Sequence, residues 1–123
     1  MTTPRTLTIT IDPDWKTVLR TAGHKAAIGL ATGQPQGETL NFETPAVFFA
    51  YLNGRRWLLL RDLLGQGTVG VRELARKVGR DVKGVHTDTQ ILVDIGLLEK
   101  DAKGALRCPY DRIHIDMVMQ AAA

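Results

Sequence analysis

The stretch Val71 to Tyr110, VRELARKVGRDVKGVHTDTQILVDIGLLEKDAKGALRCPY, restricts the chain more than any other, because two helical patterns lie a few residues apart and a hairpin pattern follows at once. Val71, Leu74, Ala75 and Val78 recur at i, i+3, i+4 and i+7 and form one apolar stripe, while Arg72, Glu73, Arg76 and Lys77 occupy the other face. Gly79 can end this helix in a left-handed conformation without a Cβ clash, and Asp81 can cap the next by accepting a hydrogen bond from its first free N–H groups. A turn this short makes the two helices cross. The second helix, from about Val82 to Ile95, turns Val82, Val85, Leu92 and Val93 inward and ends at Gly96. Lys83, Thr87 and Gln90 project from its opposite side with His86 at the border, and each can donate a hydrogen bond. Leu97 to Asp101 and Ala105 to Tyr110 then flank the turn Ala102-Lys103-Gly104 as a two-stranded hairpin that carries Lys100, Lys103 and Arg107.

That order predicts a winged helix-turn-helix within an α+β, mainly helical fold. The second helix is the candidate for the major groove of duplex DNA, with Lys83, His86, Thr87 and Gln90 toward base edges. Arg72, Arg76, Arg80 and Lys103, with Arg107 in the wing, are the candidate phosphate contacts.

The same residues resemble a known group. GVRELARKVGRDVKGVHTDTQILVDIGLLEKD followed by RCPYDRIHIDM is similar to a group of small prokaryotic DNA-binding proteins related in fold to MarR and ArsR type winged-helix regulators, over roughly Phe42 to Met117. Gly84 and Thr87 stand where basic residues are common in that group, a departure that implies either weaker DNA binding or greater dependence on the wing. Genes of the group often neighbour small toxin-like genes, so the resemblance implies an autorepressor or antitoxin role, with a small toxin protein as a partner.

Composition fits a DNA-binding regulator. A chain of 123 residues that is 44% hydrophobic has room for one modest core and none for a large catalytic domain. Residues 1 to 43 balance Arg5, Lys16, Arg20 and Lys25 against Asp12, Asp14, Glu38 and Glu43, so the whole formal charge of +3 lies further along. Val71 to Lys83 alone carries Arg72, Arg76, Lys77, Arg80 and Lys83 against Glu73 and Asp81. Exposed helical cations often serve only solubility; concentrated on a helix-turn-helix they suit a polyanion.

Other chemistries find little footing. Serine is absent, His24, His86 and His114 are scattered, and Cys108 stands alone, so no serine nucleophile, zinc spacing or internal disulfide is expected. Cys108 reads as a small packed residue in a reducing compartment. Gly65-Gln66-Gly67-Thr68-Val69-Gly70 matches G-x-G-x-x-G, but a helical leucine pattern precedes it where a dinucleotide site needs a buried strand. Neither a cofactor nor enzymatic activity is expected. With no leader pattern and no apolar run of about 18 residues, the expectation is a cytoplasmic protein off the membrane.

Before Thr44 the chain reads as a strand-helix extension. Leu7, Ile9 and Ile11 alternate with Thr6, Thr8 and Thr10, a half-buried strand. Asp12 and Pro13 suit the cap and first turn of a helix running from about Asp14 to Ala27 or somewhat further, with Trp15, Val18, Leu19, Ala22 and Ala26 inward. Gly33-Gln34-Pro35-Gln36-Gly37 reads as a linker, and Thr39 to Phe42 as a second strand pairing with the first or with another subunit. Thr44 and Pro45 start a helix that Asn53-Gly54 ends, and Trp57, Leu58, Leu60, Leu63 and Leu64 supply the core from the next. The expected division is therefore an extension over 1–43 for dimerisation or partner binding and a winged helix-turn-helix over 44–120. A homodimer could form through the N-terminal strand and helix or through Ile113, Ile115 and Met117.

Overall fold

The computed structural model describes residues 4–32 and 37–121, so most of the expected 33–37 linker and the end of the alanine tail lie outside the described residues. The order is β1 (Thr6–Ile11), α1 (Trp15–Thr32), β2 (Glu38–Phe42), α2 (Pro45–Tyr51), α3 (Gly54–Leu63), α4 (Val71–Val78), α5 (Val82–Asp94), β3 (Glu99–Lys100), β4 (Leu106–Arg107) and β5 (Arg112–Asp116). Five helices and two small sheets among the described residues make the fold α+β. Two compact units divide it, one reaching Phe49 and resuming at Arg112, the other Ala50–Asp111. The break thus falls inside α2 rather than at 43/44, and the segment after the β3–β4 hairpin joins the N-terminal unit because β5 pairs with β1.

In the first unit a three-stranded sheet has the order β2-β1-β5, with β1 parallel to both neighbours. The alternation read from sequence holds, with Leu7 and Ile9 buried and the threonines half-buried. The register sets Ile9 beside both Leu40 and Ile115, Leu7 beside Ile113, and Ile11 beside Phe42, so one face of the sheet is apolar. The Phe42 ring meets Phe48 edge-on at 5.5 Å. Of the two partners expected for Thr39–Phe42 the structure shows the first strand, and β5, which the sequence reading does not pair with β1, takes its other edge. Ile113 and Ile115 are likewise members of the sheet within the chain.

Asp14 caps α1, its carboxylate accepting from the Thr17 amide at 3.2 Å and hydroxyl at 2.7 Å, while Asp12 accepts from the Asp14 amide. The cap thus lies two residues beyond the expected Asp12. Val18 and Ala22 are half-buried, but Leu19, expected inward, is 61% exposed. The side chains of Trp15 and Ala26 lie outside the described ones.

In the second unit Asn53 does not merely end α2; its side chain accepts from the Arg56 amide and caps α3. The buried stripe of α3 is Leu59, Leu60 and Leu63, whereas Trp57 and Leu58 are 41% and 46% exposed, a phase error in the expected core. Gly79 ends α4 at φ +68°, and Asp81 caps α5 by accepting from the Gly84 amide at 2.9 Å, both as the sequence predicts. Val82, in the first turn of α5, is 42% exposed rather than inward. The strands β3 and β4 are antiparallel, with Glu99 opposite Arg107, and are shorter than expected. The amides of Leu97 and Leu98 return to the Leu92 carbonyl at the end of α5 and so are lost to the ladder. The turn is closed by the Asp101 carboxylate, which accepts from the Lys103 and Ala105 amides, with Gly104 at φ +83°.

The Gly65–Gly70 segment follows helix α3, and its Val69 is buried and paired with Leu106 of β4, each amide donating to the other's carbonyl at 2.8 Å. No helix among the described residues is long and apolar enough to cross a membrane.

Candidate nucleic-acid interface

Arg72 and Arg76 lie one turn apart on the exposed face of α4. Arg72 also lines an open cleft together with Lys103, Gly104 and Ala105 of the hairpin turn and with Gly70 and Val71 at the start of the helix. Gly70 is the cap residue of α4 and has no side chain to occupy the first amides. The partial positive charge of that helix end therefore adds to the two cations, and the cleft favours an anion. Two of the expected phosphate contacts are thus brought together by the turn of the hairpin.

On α5 the side chains of Lys83, His86 and Thr87 are exposed on one face, as their spacing predicts. The Thr87 hydroxyl donates to the Lys83 carbonyl at 3.1 Å, which leaves its lone pairs outward as acceptors. Gln90 differs. It is half-buried, its amide nitrogen donates to Asp94 at 2.9 Å, and its oxygen accepts from Lys100 of β3 at 2.7 Å. Both ends of the amide are engaged, so Gln90 and Lys100 fasten the hairpin to α5 instead of projecting toward a ligand. Arg107 is half-exposed and paired across the hairpin with Glu99 at 2.8 Å.

Arg80 departs furthest from its expected role. Its guanidinium donates to Asp88 at 2.8 Å, and Arg56 donates to the other oxygen of the same carboxylate at 3.0 Å. Arg56 also donates to the carbonyls of Ala50 and Tyr51 at 3.0 and 3.2 Å, closing the last turn of α2. Asp88 is 4% exposed. Burial pushes its carboxyl up, but the hydrogen bonds and charges of Arg80 and Arg56 outweigh burial and hold it below the ordinary carboxylate range. One Arg80 nitrogen, Nη1, is buried without a hydrogen-bond partner, the cost of packing a large cation against one shared acid. Arg80 is therefore a structural tie, not a free contact.

The triad also accounts for Gly84. A Cβ there would stand 3.0 Å from Asp81 Oδ1 and 3.3 Å from the Arg80 guanidinium, so a longer side chain would press on both the cap and the ion pair. Asp88 went unread in the sequence, yet a signal existed: it falls three residues after Val85 and four before Leu92, a charged residue in the buried stripe. Such a position calls for a cation on a neighbouring element. Cys108 is buried, and burial pushes its thiol up, which suits a packed side chain and not a reactive thiolate. Among the described residues no three His, Cys, Asp or Glu side chains are grouped to hold a metal ion.

A family model described as HVO_A0114 matches residues 51–115. The chain belongs to the HVO_A0114 family. The match covers just over half of the chain, taking in α3, the α4–turn–α5 pair, the hairpin and most of β5. No curated protein and no solved structure matches the sequence. In this HVO_A0114 protein Arg72, Arg76, Lys83, His86, Thr87 and Lys103 are the residues of the expected interface that are exposed and enter no ion pair among the described residues.

Proposed function

We propose that the protein is a sequence-specific, duplex-DNA-binding transcriptional regulator of winged helix-turn-helix type that acts as a repressor or autorepressor. The observation that carries this reading is the Val69–Leu106 pairing. Val69, a single bridge residue before α4, binds the hairpin after α5 and ties the turn Ala102–Gly104 to the start of α4, where Lys103 and Arg72 share one cleft. Helix, bridge, helix, helix and hairpin follow one another in the order of a winged helix, which supports this reading, and the paired cations suit a phosphate of the backbone.

In this reading Arg72, Arg76 and Lys103 hold the phosphates, and Lys83, His86 and Thr87 approach base edges in the major groove. The neutral Gln90 and the triad of Arg56, Asp88 and Arg80 keep α5 and the hairpin in place. The competing reading, a module that neutralises a toxin protein through the N-terminal region, rests on the resemblance; β1 offers such a partner no free edge, since β2 and β5 lie on either side of it. The test is a fluorescence-anisotropy titration with Arg72→Ala and Lys103→Ala. Each should weaken binding to every duplex alike and make the salt slope shallower by about one unit, since one fewer counterion is released. Unchanged affinity and salt dependence in both variants would remove the cleft from the interface.

A further inference from the structure

The outer edge of β5 bears no strand among the described residues. Its sequence, Arg112-Ile113-His114-Ile115-Asp116, has a base at one end, an acid at the other and matched isoleucines between. The Arg112 amide donates to the Arg5 carbonyl at 3.3 Å, so the backbone groups of Arg112 point toward β1. Backbone groups alternate sides along a strand, and those of Ile113 and Ile115 therefore point outward, away from the sheet. Arg112, His114 and Asp116 are exposed.

We propose that this edge pairs with the β5 edge of a second copy of the chain, antiparallel about His114, to join two three-stranded sheets into one. In that register Ile113 stands opposite Ile115 of the second copy, and these are the residues whose amides and carbonyls point outward, so each such pair exchanges two hydrogen bonds. Arg112 stands opposite Asp116 at the non-hydrogen-bonded positions, where side chains across an antiparallel pair come closest. The two-fold axis makes both contacts twice, which is the self-complementarity an isologous interface requires. Because antiparallel pairing keeps opposite residues on one face, the isoleucines also extend the apolar face that Leu7 and Ile9 begin.

A slide of one residue would set outward backbone groups against inward ones. Slides of two residues keep the backbone pattern but put Arg112 or Asp116 opposite His114, and the base–acid pairs are lost. The other free edge, β2, lacks this symmetry: the same operation about Leu40 sets Glu38 opposite Phe42, and Glu38 is already held by Arg5 at 2.8 Å. An exposed edge invites pairing with something, and charge complementarity selects a second copy.

This assembly needs no DNA and stands apart from the DNA-binding proposal, so either can fail alone. Sedimentation equilibrium of the full chain without DNA should show a dimer. Arg112→Asp and Asp116→Arg should each raise the dissociation constant by about tenfold or more, because two attractive cross-strand pairs become repulsive. The double variant, which exchanges the charges, should restore the dimer. An equimolar mixture of the two single variants sets an edge with two acids against an edge with two bases and should assemble as well, which shows that each variant is folded. A monomer across the micromolar range, or a dimer that both single variants leave unchanged, would overturn the proposal.

Discussion

At Asp88 a charged residue occupies a core position, and the two arginines that neutralise it come from the start of α3 and from the α4–α5 turn. Replacing Asp88 by Asn leaves both guanidinium groups short of a counter-charge in surroundings where they are 15% and 24% exposed. The cost should be about 3 kcal/mol in urea unfolding, the scale for removing one member of a buried ionic cluster. The pH dependence follows from the sign of the shift. The folded carboxyl is held below its ordinary value, so its contribution is fully present above about pH 4, the unfolded range, and is lost as pH falls through the lower folded value. The stability gap between wild type and Asp88→Asn should therefore narrow as the pH is lowered below about 4. A gap that stays constant from neutral pH to pH 2 would contradict the depressed carboxyl. Arg80→Ala belongs with this variant: it should lower stability and leave the salt slope of DNA binding at its wild-type value, in contrast to Arg72→Ala.

The elements themselves were largely legible. The caps at Gly79 and Asp81, the hairpin turn and the alternation in β1 are local signals, fixed by a few neighbouring residues, and each was found where the spacing puts it. Three features were not local. The stripe of α3 was misjudged because Trp57-Leu58-Leu59-Leu60 is apolar all round, and periodicity gives no phase in such a run. Of the two parallel neighbours of β1 the nearer, β2, is among the alternatives the sequence offers, but β5 lies about a hundred residues away, a pairing that alternation cannot identify. The engagement of Gln90 depends on Lys100 arriving from the hairpin, so helix spacing showed its direction but not its partner. Two predictions belong at this scale. Val69→Pro removes the amide that donates to Leu106 and should cost about 1 to 3 kcal/mol in stability and, on the proposed function, weaken DNA binding through the displaced hairpin. Stability and binding that both match wild type would show the pairing to be dispensable. Gln90→Ala should leave discrimination between bases unchanged, whereas Lys83→Ala should relax it at particular positions by about 1 to 3 kcal/mol if Lys83 makes a good base contact. Binding measured over a panel of single-base operator variants separates the two.

For the molecule as a whole, the triad, the expected DNA face and all but the last residues of the matched family span fall in the 50–111 unit, while the sheet with the free edge, to which β5 belongs, is in the other. A fragment of residues 50–111 has its own apolar core and should unfold cooperatively, although with modest stability for its size. Lacking β5, it should sediment as a monomer. The central claim is that this protein reads DNA sequence, and the most direct measurement is a titration of the full chain against its own promoter and against random duplex of equal length at physiological salt. The account predicts binding to the promoter tighter than to random duplex by about a thousandfold or more, the range of sequence-specific regulators. Equal, micromolar or weaker binding to both would contradict it.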